Sequence, residues 1–209
     1  AYFPEGEVEV TGTPVRREFE NLPSRAEARE GLGLSVDRPV VFAFGGSQGA
    51  RGLNTLVAEA AEILGDGVQW LQVAGRDDEQ RVKELVAGRS GHVVRGFCDD
   101  MPAAYAASDL VISRAGGASL TELAYLGRPS ILVPYPHAAD DHQTCNARCF
   151  EQAGAALLAP ECELEGAKLA QLIGGLLKSP ENLGAMELAA RELSVDDAAG
   201  RICDILLPG

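Results

Sequence analysis

The stretch SRAGGASLTELAYLGRPSILVPYPHAADDHQTCN, residues 113–146, decides the fold. Leu110-Val-Ile ahead of it is a short apolar strand, Ser119–Tyr125 has helical composition, and Gly127 with Pro129 beyond ends that helix. The pattern is strand, glycine turn, helix. Gly116 and Gly117 remove side chains where a ligand could approach the backbone, and the N–H groups of a first helical turn, lacking intrahelical acceptors, would point at it. Phosphate is the natural guest of such a helix end. Ser119 and Glu122 have the spacing of a capping box, which would give Glu122 a purely structural role. The alternative gives it a ribose. A carboxylate one turn into a helix whose start holds a diphosphate can accept both vicinal hydroxyls.

Further along, Ser130–Pro134 reads as a buried strand, and His142-Gln143 leads into a helix from about Thr144. A His-Gln pair at such a turn suits sugar hydroxyls, or it is simply a solvated loop. Upstream, Pro39–Phe44 is a continuous apolar strand, expected at the centre of a parallel sheet. It runs into Gly45-Gly-Ser-Gln-Gly-Ala-Arg-Gly and then a helical period from Leu53. This second glycine turn lacks the P-loop lysine and the dinucleotide G-x-G-x-x-G spacing, and Gly49 and Gly52 could serve only tight packing. Two such turns at strand ends nonetheless favour a ligand, because open α/β sheets bind at the carboxyl ends of their strands.

The remaining elements follow the same alternation. Strands are expected at Val68–Ala74, His92–Arg95 and Ala155–Ala159, with helices at 24–33, 78–87, from Asp100, 144–153, 164–178, 180–193 and 196–206. Arg76, Asp77 and Asp78 read as turn and cap, Val8–Thr11 as an edge strand, and DDAAGRICDILL, 196–207, as a packing helix. The fold class is α/β, a Rossmann-like parallel sheet flanked by helices, in a single domain over 1–209.

Composition bounds the function. The chain has 209 residues, is 46% hydrophobic and carries a formal charge of −13, which argues against nucleic acid as a partner. Any phosphate site must therefore be built locally. No apolar run approaches a membrane span, and the residues from Ala1 onward lack the charged-then-apolar pattern of a signal peptide. Five cysteines, at 98, 145, 149, 162 and 203, form no C-x-x-C pair, so neither a disulfide framework nor a zinc site is expected, and a cytoplasmic location is. Cys145 and Cys149, four apart, read as small buried residues of one helix face. Asp140-Asp141 is the nearest approach to a metal motif, and two carboxylates without further ligands read as solvated; no metal or cofactor is expected.

The run 113–146, together with TGTPVR at 11–16, GGSQGARGLN at 45–54 and GFCDDMPAAYAASDLVISRAGG at 96–117, resembles the MurG family. Its members are undecaprenyldiphospho-muramoylpentapeptide β-N-acetylglucosaminyltransferases, hexosyltransferases of peptidoglycan and cell-wall biosynthesis. The motifs match in order from Thr11 to about Leu158, and all belong to the C-terminal, donor-binding half of a GT-B glycosyltransferase.

The resemblance implies a site for UDP-N-acetylglucosamine. It assigns donor contacts to Arg16 and Ser47 and to the run Gly116, Gly117, Ala118, Ser119, Leu120, Thr121 and Glu122. Uracil would be read by the backbone at Cys98, whose thiol is not needed, and the hexose by His142 and Gln143. His137 and Arg17 have no matched role. Residues 1–16 would form an interdomain segment, and 194–209 a C-terminal helix returning toward the other half. The catalytic base and the contacts to the lipid-linked acceptor would lie in that N-terminal half, outside this chain. The whole enzyme would be peripheral on the cytoplasmic face of the membrane. Two other readings stand beside this one: a separate sugar-nucleotide-binding subunit of a two-chain transferase, and a sugar-nucleotide epimerase of the same architecture. The second would call for both catalytic carboxylates and a second nucleotide half in one chain.

Overall fold

The computed structural model describes residues 8–46, 50–136 and 138–207. Six parallel strands, β1 (Val40–Phe44), β2 (Gln69–Val73), β3 (His92–Arg95), β4 (Leu110–Ser113), β5 (Ser130–Leu132) and β6 (Ala156–Leu158), form one sheet in the order β3-β2-β1-β4-β5-β6. Between and after them run α1 (Arg25–Gly31), α2 (Arg51–Leu64), α3 (Glu79–Leu85), α4 (Met101–Ala107), α5 (Gly117–Leu126), α6 (His142–Gln152), α7 (Gly166–Leu177), α8 (Pro180–Glu192) and α9 (Ala198–Leu206). The expected α/β class and the central position of Pro39–Phe44 are thereby met.

Alternation along β1 divides the core. Phe42 and Phe44 face Tyr105, Leu120, Leu123 and Phe150, while Val41 and Ala43 face Leu53, Val57, Leu169 and Ile173. Strand residues buried on both faces need no polar alternation, which is why β1 reads as an unbroken apolar run. The rings of Phe42 and Tyr105 meet edge-on at 5.4 Å, and full burial of each such side chain contributes about 1.5–3 kcal/mol. Close approach of α7 to α2 depends on Gly166, where a Cβ would collide with the Glu59 side chain. The strand order reverses between β1 and β4, and their carboxyl ends open there.

Several expectations need correction. Residues 8–11 form no strand: they pair with neither edge strand, β3 or β6, and Val10 stays 74% exposed. The segment packs instead through Gly12, at φ +82, where a Cβ would stand 2.7 Å from Val195 Cβ. Cys145 and Cys149 are exposed, because α6 turns Ala147 and Phe150 inward and presents the cysteines to solvent. The helix within 196–207 forms as α9, yet only its Ala198 is buried, and Leu206 is 71% exposed. Among the described residues no helix is long and apolar enough to cross a membrane.

Candidate functional site

The central turn begins earlier than its sequence suggests. Helix α5 starts at Gly117 with Gly116 as N-cap, so Ser119 is the third helical residue and no capping box joins it to Glu122. The first intrahelical bond runs from Leu120 N–H to Gly116 C=O at 3.0 Å, leaving the N–H groups of Gly117, Ala118 and Ser119 ahead of the ladder. A Cβ at Gly116 or Gly117 would meet no atom within 4 Å. Packing therefore does not require glycine at either position, and both face open space. Gly52 is the opposite case, since a Cβ there would collide with the Glu161 carboxylate.

Glu122 is held by long-range partners. Its Oε2 accepts from the Tyr105 hydroxyl at 2.9 Å, and its Oε1 accepts from Arg16 Nη2 at 3.3 Å. Tyr105 is buried, and burial together with the Glu122 charge pushes its phenol well above the usual tyrosine range, so it stays a fixed donor. Arg16 also pairs with Glu18 at 2.7 Å and lies over the Phe19 ring at 4.9 Å. The carboxylate is thus oriented, with its side chain 15% exposed.

Beyond the end of β3 the chain bends at Gly96-Phe97-Cys98. Cys98 is buried and its Sγ donates to the Asp100 carbonyl at 3.3 Å. Burial pushes this thiol up, away from the thiolate that a nucleophile would need. Phe97 is half exposed, with the Arg76 guanidinium 5.3 Å from its ring centroid.

These pieces enclose one cleft of about 280 Å³ at the carboxyl ends of β1, β2 and β3 and the start of α5. Of the residues expected to contact a ligand, Arg16, Cys98, Ala118, Ser119 and Glu122 line it. Phe44, Phe97 and Met101 line it too, with no local motif to announce them. Leu120 and Thr121 instead line a separate cavity against Gly12 and Val195, and the Thr121 hydroxyl donates to the Gly117 carbonyl at 3.0 Å. His142 and Gln143 form the first turn of α6, which begins two residues earlier than expected, and they border the neighbouring turn after β5 and not the cleft wall. Gln143 Oε1 accepts from Tyr135 N–H at 2.9 Å, and Asn146 Nδ2 donates to the Ala115 carbonyl at 3.1 Å, tying α6 to the glycine turn. Ser47 and His137 lie outside the described residues. Tyr105 and Asn146 were missed by sequence reasoning; a tyrosine in an alanine-rich helix was the one available signal, since a buried phenol needs a partner. Among the described residues no three His, Cys, Asp or Glu side chains gather at metal-binding spacing.

A parallel sheet reversing between β1 and β4, with a cleft at the reversal and a glycine-opened helix beside it, is the architecture of one Rossmann-like half of a GT-B glycosyltransferase. The chain belongs to the glycosyltransferase family 28 C-terminal domains, whose model matches residues 40–202. It is 41% identical, over 98% of its length and 53% of the relative's, to a UDP-N-acetylglucosamine–N-acetylmuramyl-(pentapeptide) pyrophosphoryl-undecaprenol N-acetylglucosamine transferase of Myxococcus xanthus. The protein of the same name from Solibacter usitatus is 40% identical over 99% of this chain and 55% of its own. The crystal structure of Acinetobacter baumannii MurG superposes with a TM-score of 0.80 at 29% identity, covering 99% of this chain and 58% of that one. A UDP-GlcNAc 2-epimerase from Neisseria meningitidis shares the fold, with a TM-score of 0.61 at 14% identity, 88% of this chain and 48% of that one covered. The chain spans about half the length of the curated relatives it matches.

Proposed function

We propose that this chain is the donor-binding half of a peptidoglycan N-acetylglucosaminyltransferase and holds UDP-N-acetylglucosamine in the cleft above the β1–β4 reversal. The observation that carries the reading is Glu122, fixed by Tyr105 one turn into a helix whose first N–H groups stand ahead of the hydrogen-bond ladder. In this reading the uracil lies at the Cys98 bend, where one residue's N–H and C=O can pair with its acceptor and donor atoms. The ribose hydroxyls donate to Glu122, the diphosphate meets the start of α5, and the hexose extends toward His142 and Gln143.

The chemistry follows from charge. As the glycosidic bond breaks, negative charge grows on the diphosphate, and the positive end of α5 stabilises it with dipoles already in place. Arg16 adds a cation, released from Glu122 as the ribose arrives. Proton removal from the acceptor hydroxyl needs a base, and that group belongs to the N-terminal half in this reading. The lipid-linked acceptor reaches the donor through the same half, at the cytoplasmic face of the membrane. No divalent metal is required.

The isolated 209-residue chain is then expected to bind UDP-N-acetylglucosamine equally well with and without EDTA and to transfer no sugar to a lipid-linked muramoyl acceptor. Adding the N-terminal half, fused or in trans, restores transfer. Robust transfer by the isolated chain would contradict the division of labour.

A further inference from the structure

We propose that the ion pair between buried Arg114 and partly exposed Glu161 is a positioning pair that sets which hexose the donor site accepts, without touching the donor itself. The proposal rests on the donor reading above and deepens it. Arg114 is the first residue after β4, two before Gly116, and is only 7% exposed. Its Nη1 donates to the carbonyls of Val133 (3.1 Å) and Pro134 (3.0 Å) just past β5, and its guanidinium lies 5.5 Å from the Tyr135 ring centroid. Its Nη2 pairs with Glu161, on the turn after β6.

The contacts close a ring. Tyr135 N–H donates to Gln143 Oε1, α6 carries the path from Gln143 to Asn146, and Asn146 Nδ2 donates to the carbonyl of Ala115, the neighbour of Arg114. The glycine turn that would meet the diphosphate and the helix turn that would meet the hexose are thus fastened at one spacing. Because Gln143 Oε1 is taken by Tyr135, the Nε2 amide is the end left to donate to a sugar oxygen. Glu161 extends the frame to a third turn, since its carboxylate lies against Gly52 in the first turn of α2.

Arginine suits this position and lysine does not. A planar fork can satisfy two carbonyls and a carboxylate at fixed angles, whereas an ammonium is a mobile point charge. A hydrogen bond that must tell an equatorial from an axial hydroxyl depends on sub-ångström placement, so loosening the frame costs selectivity before it costs diphosphate binding.

The test titrates the 209-residue chain and two variants, Glu161→Ala and Arg114→Lys, with UDP, UDP-N-acetylglucosamine and its galactose-configured epimer. In both variants UDP affinity is expected to change less than about threefold while that for UDP-N-acetylglucosamine falls about fivefold to tenfold. The preference for the glucose-configured donor falls with it, toward parity. Glu161 is partly exposed, so its truncation leaves a folded chain, checked by thermal melting, and decides the matter if Arg114→Lys fails to fold. Equal losses for UDP and both sugar nucleotides in a folded Glu161→Ala chain would reduce the pair to a structural tie and overturn the proposal, as would unchanged selectivity. A wild-type chain that binds no UDP brings down the donor reading itself, an outcome distinct from loss of selectivity in the variants alone.

Discussion

At Glu122, a short-range signal and a long-range one compete. The S-x-x-E spacing names a capping box, yet the helix starts two residues earlier, at Gly117, with Gly116 in extended geometry as its N-cap. The same spacing at Ser24–Glu27 does form a capping box, with Glu27 N–H to Ser24 Oγ at 3.3 Å and Ser24 N–H to Glu27 Oε2 at 2.9 Å. What orients Glu122 is its pairing with Tyr105 and Arg16, 17 and 106 residues away, and no local motif encodes such a pairing. Glu122→Ala is expected to weaken UDP binding by about 1.5–3 kcal/mol, the value of a charge-assisted hydrogen bond. It should also abolish any preference for UDP over 2′-deoxy-UDP, as measured by calorimetry. A retained ribose preference in the folded variant would remove the assignment. Tyr105→Phe keeps the buried ring and loses only the anchor, so affinity should fall by about 1 kcal/mol with little change in thermal midpoint.

Two interactions between elements carry predictions about stability. Asp109, just before β4, joins α1 to the sheet. It accepts from Arg29 Nη2 at 2.5 Å and from Val40 N–H at 2.7 Å, and pairs with Arg25 at 2.9 Å, while Arg29 also donates to the carbonyls of Ala107 and Val36. Asp109→Ala leaves a buried guanidinium short of its counter-charge, and urea unfolding should report a loss of about 3 kcal/mol. The site is at the amino-terminal edge of the strands, so donor affinity of the folded variant is expected to be unchanged.

The seam between β2 and β3 gives a pH dependence. His92 stacks on Trp70 at 5.8 Å and meets Gln72 Oε1 at 3.0 Å, and burial with the nearby Arg89 charge lowers its pKa from 6.5 to about 4. Between those values the unfolded chain binds the proton and the folded chain does not, so stability falls as pH drops from 6.5 toward 4. Above 6.5 this contribution is fully present. Denaturant curves at pH 7 and 4.5 should differ by on the order of 2–3 kcal/mol more in wild type than in His92→Gln. Equal pH sensitivity in the two would show that His92 is not the group responsible.

Over the whole molecule, what was legible in sequence is what local chemistry fixes. Unbroken apolar runs such as Pro39–Phe44 and glycine-ended strands gave the parallel sheet, because burial on both faces removes polar alternation. Misreadings fell where a partner element decides. Val8 and Val10 alternate like a strand but pair with no edge of the sheet, the chain at Gly12 packing against Val195 instead, and Cys145 and Cys149 share a helix face that α6 turns outward. Half of the site was readable as positions along turns. Its closure was not, since Tyr105, Asn146 and Arg114 act across the sheet's carboxyl edge through contacts that only the assembled fold creates.

The central claim is that this cleft holds a uridine diphosphate sugar, and calorimetric titration of the wild-type 209-residue chain with UDP-N-acetylglucosamine tests it most directly. The account predicts saturable one-to-one binding that UDP displaces, that persists in EDTA, and that Glu122→Ala weakens by about tenfold or more. A folded wild-type chain that gives no binding heat and no protection against thermal unfolding at millimolar donor would contradict it.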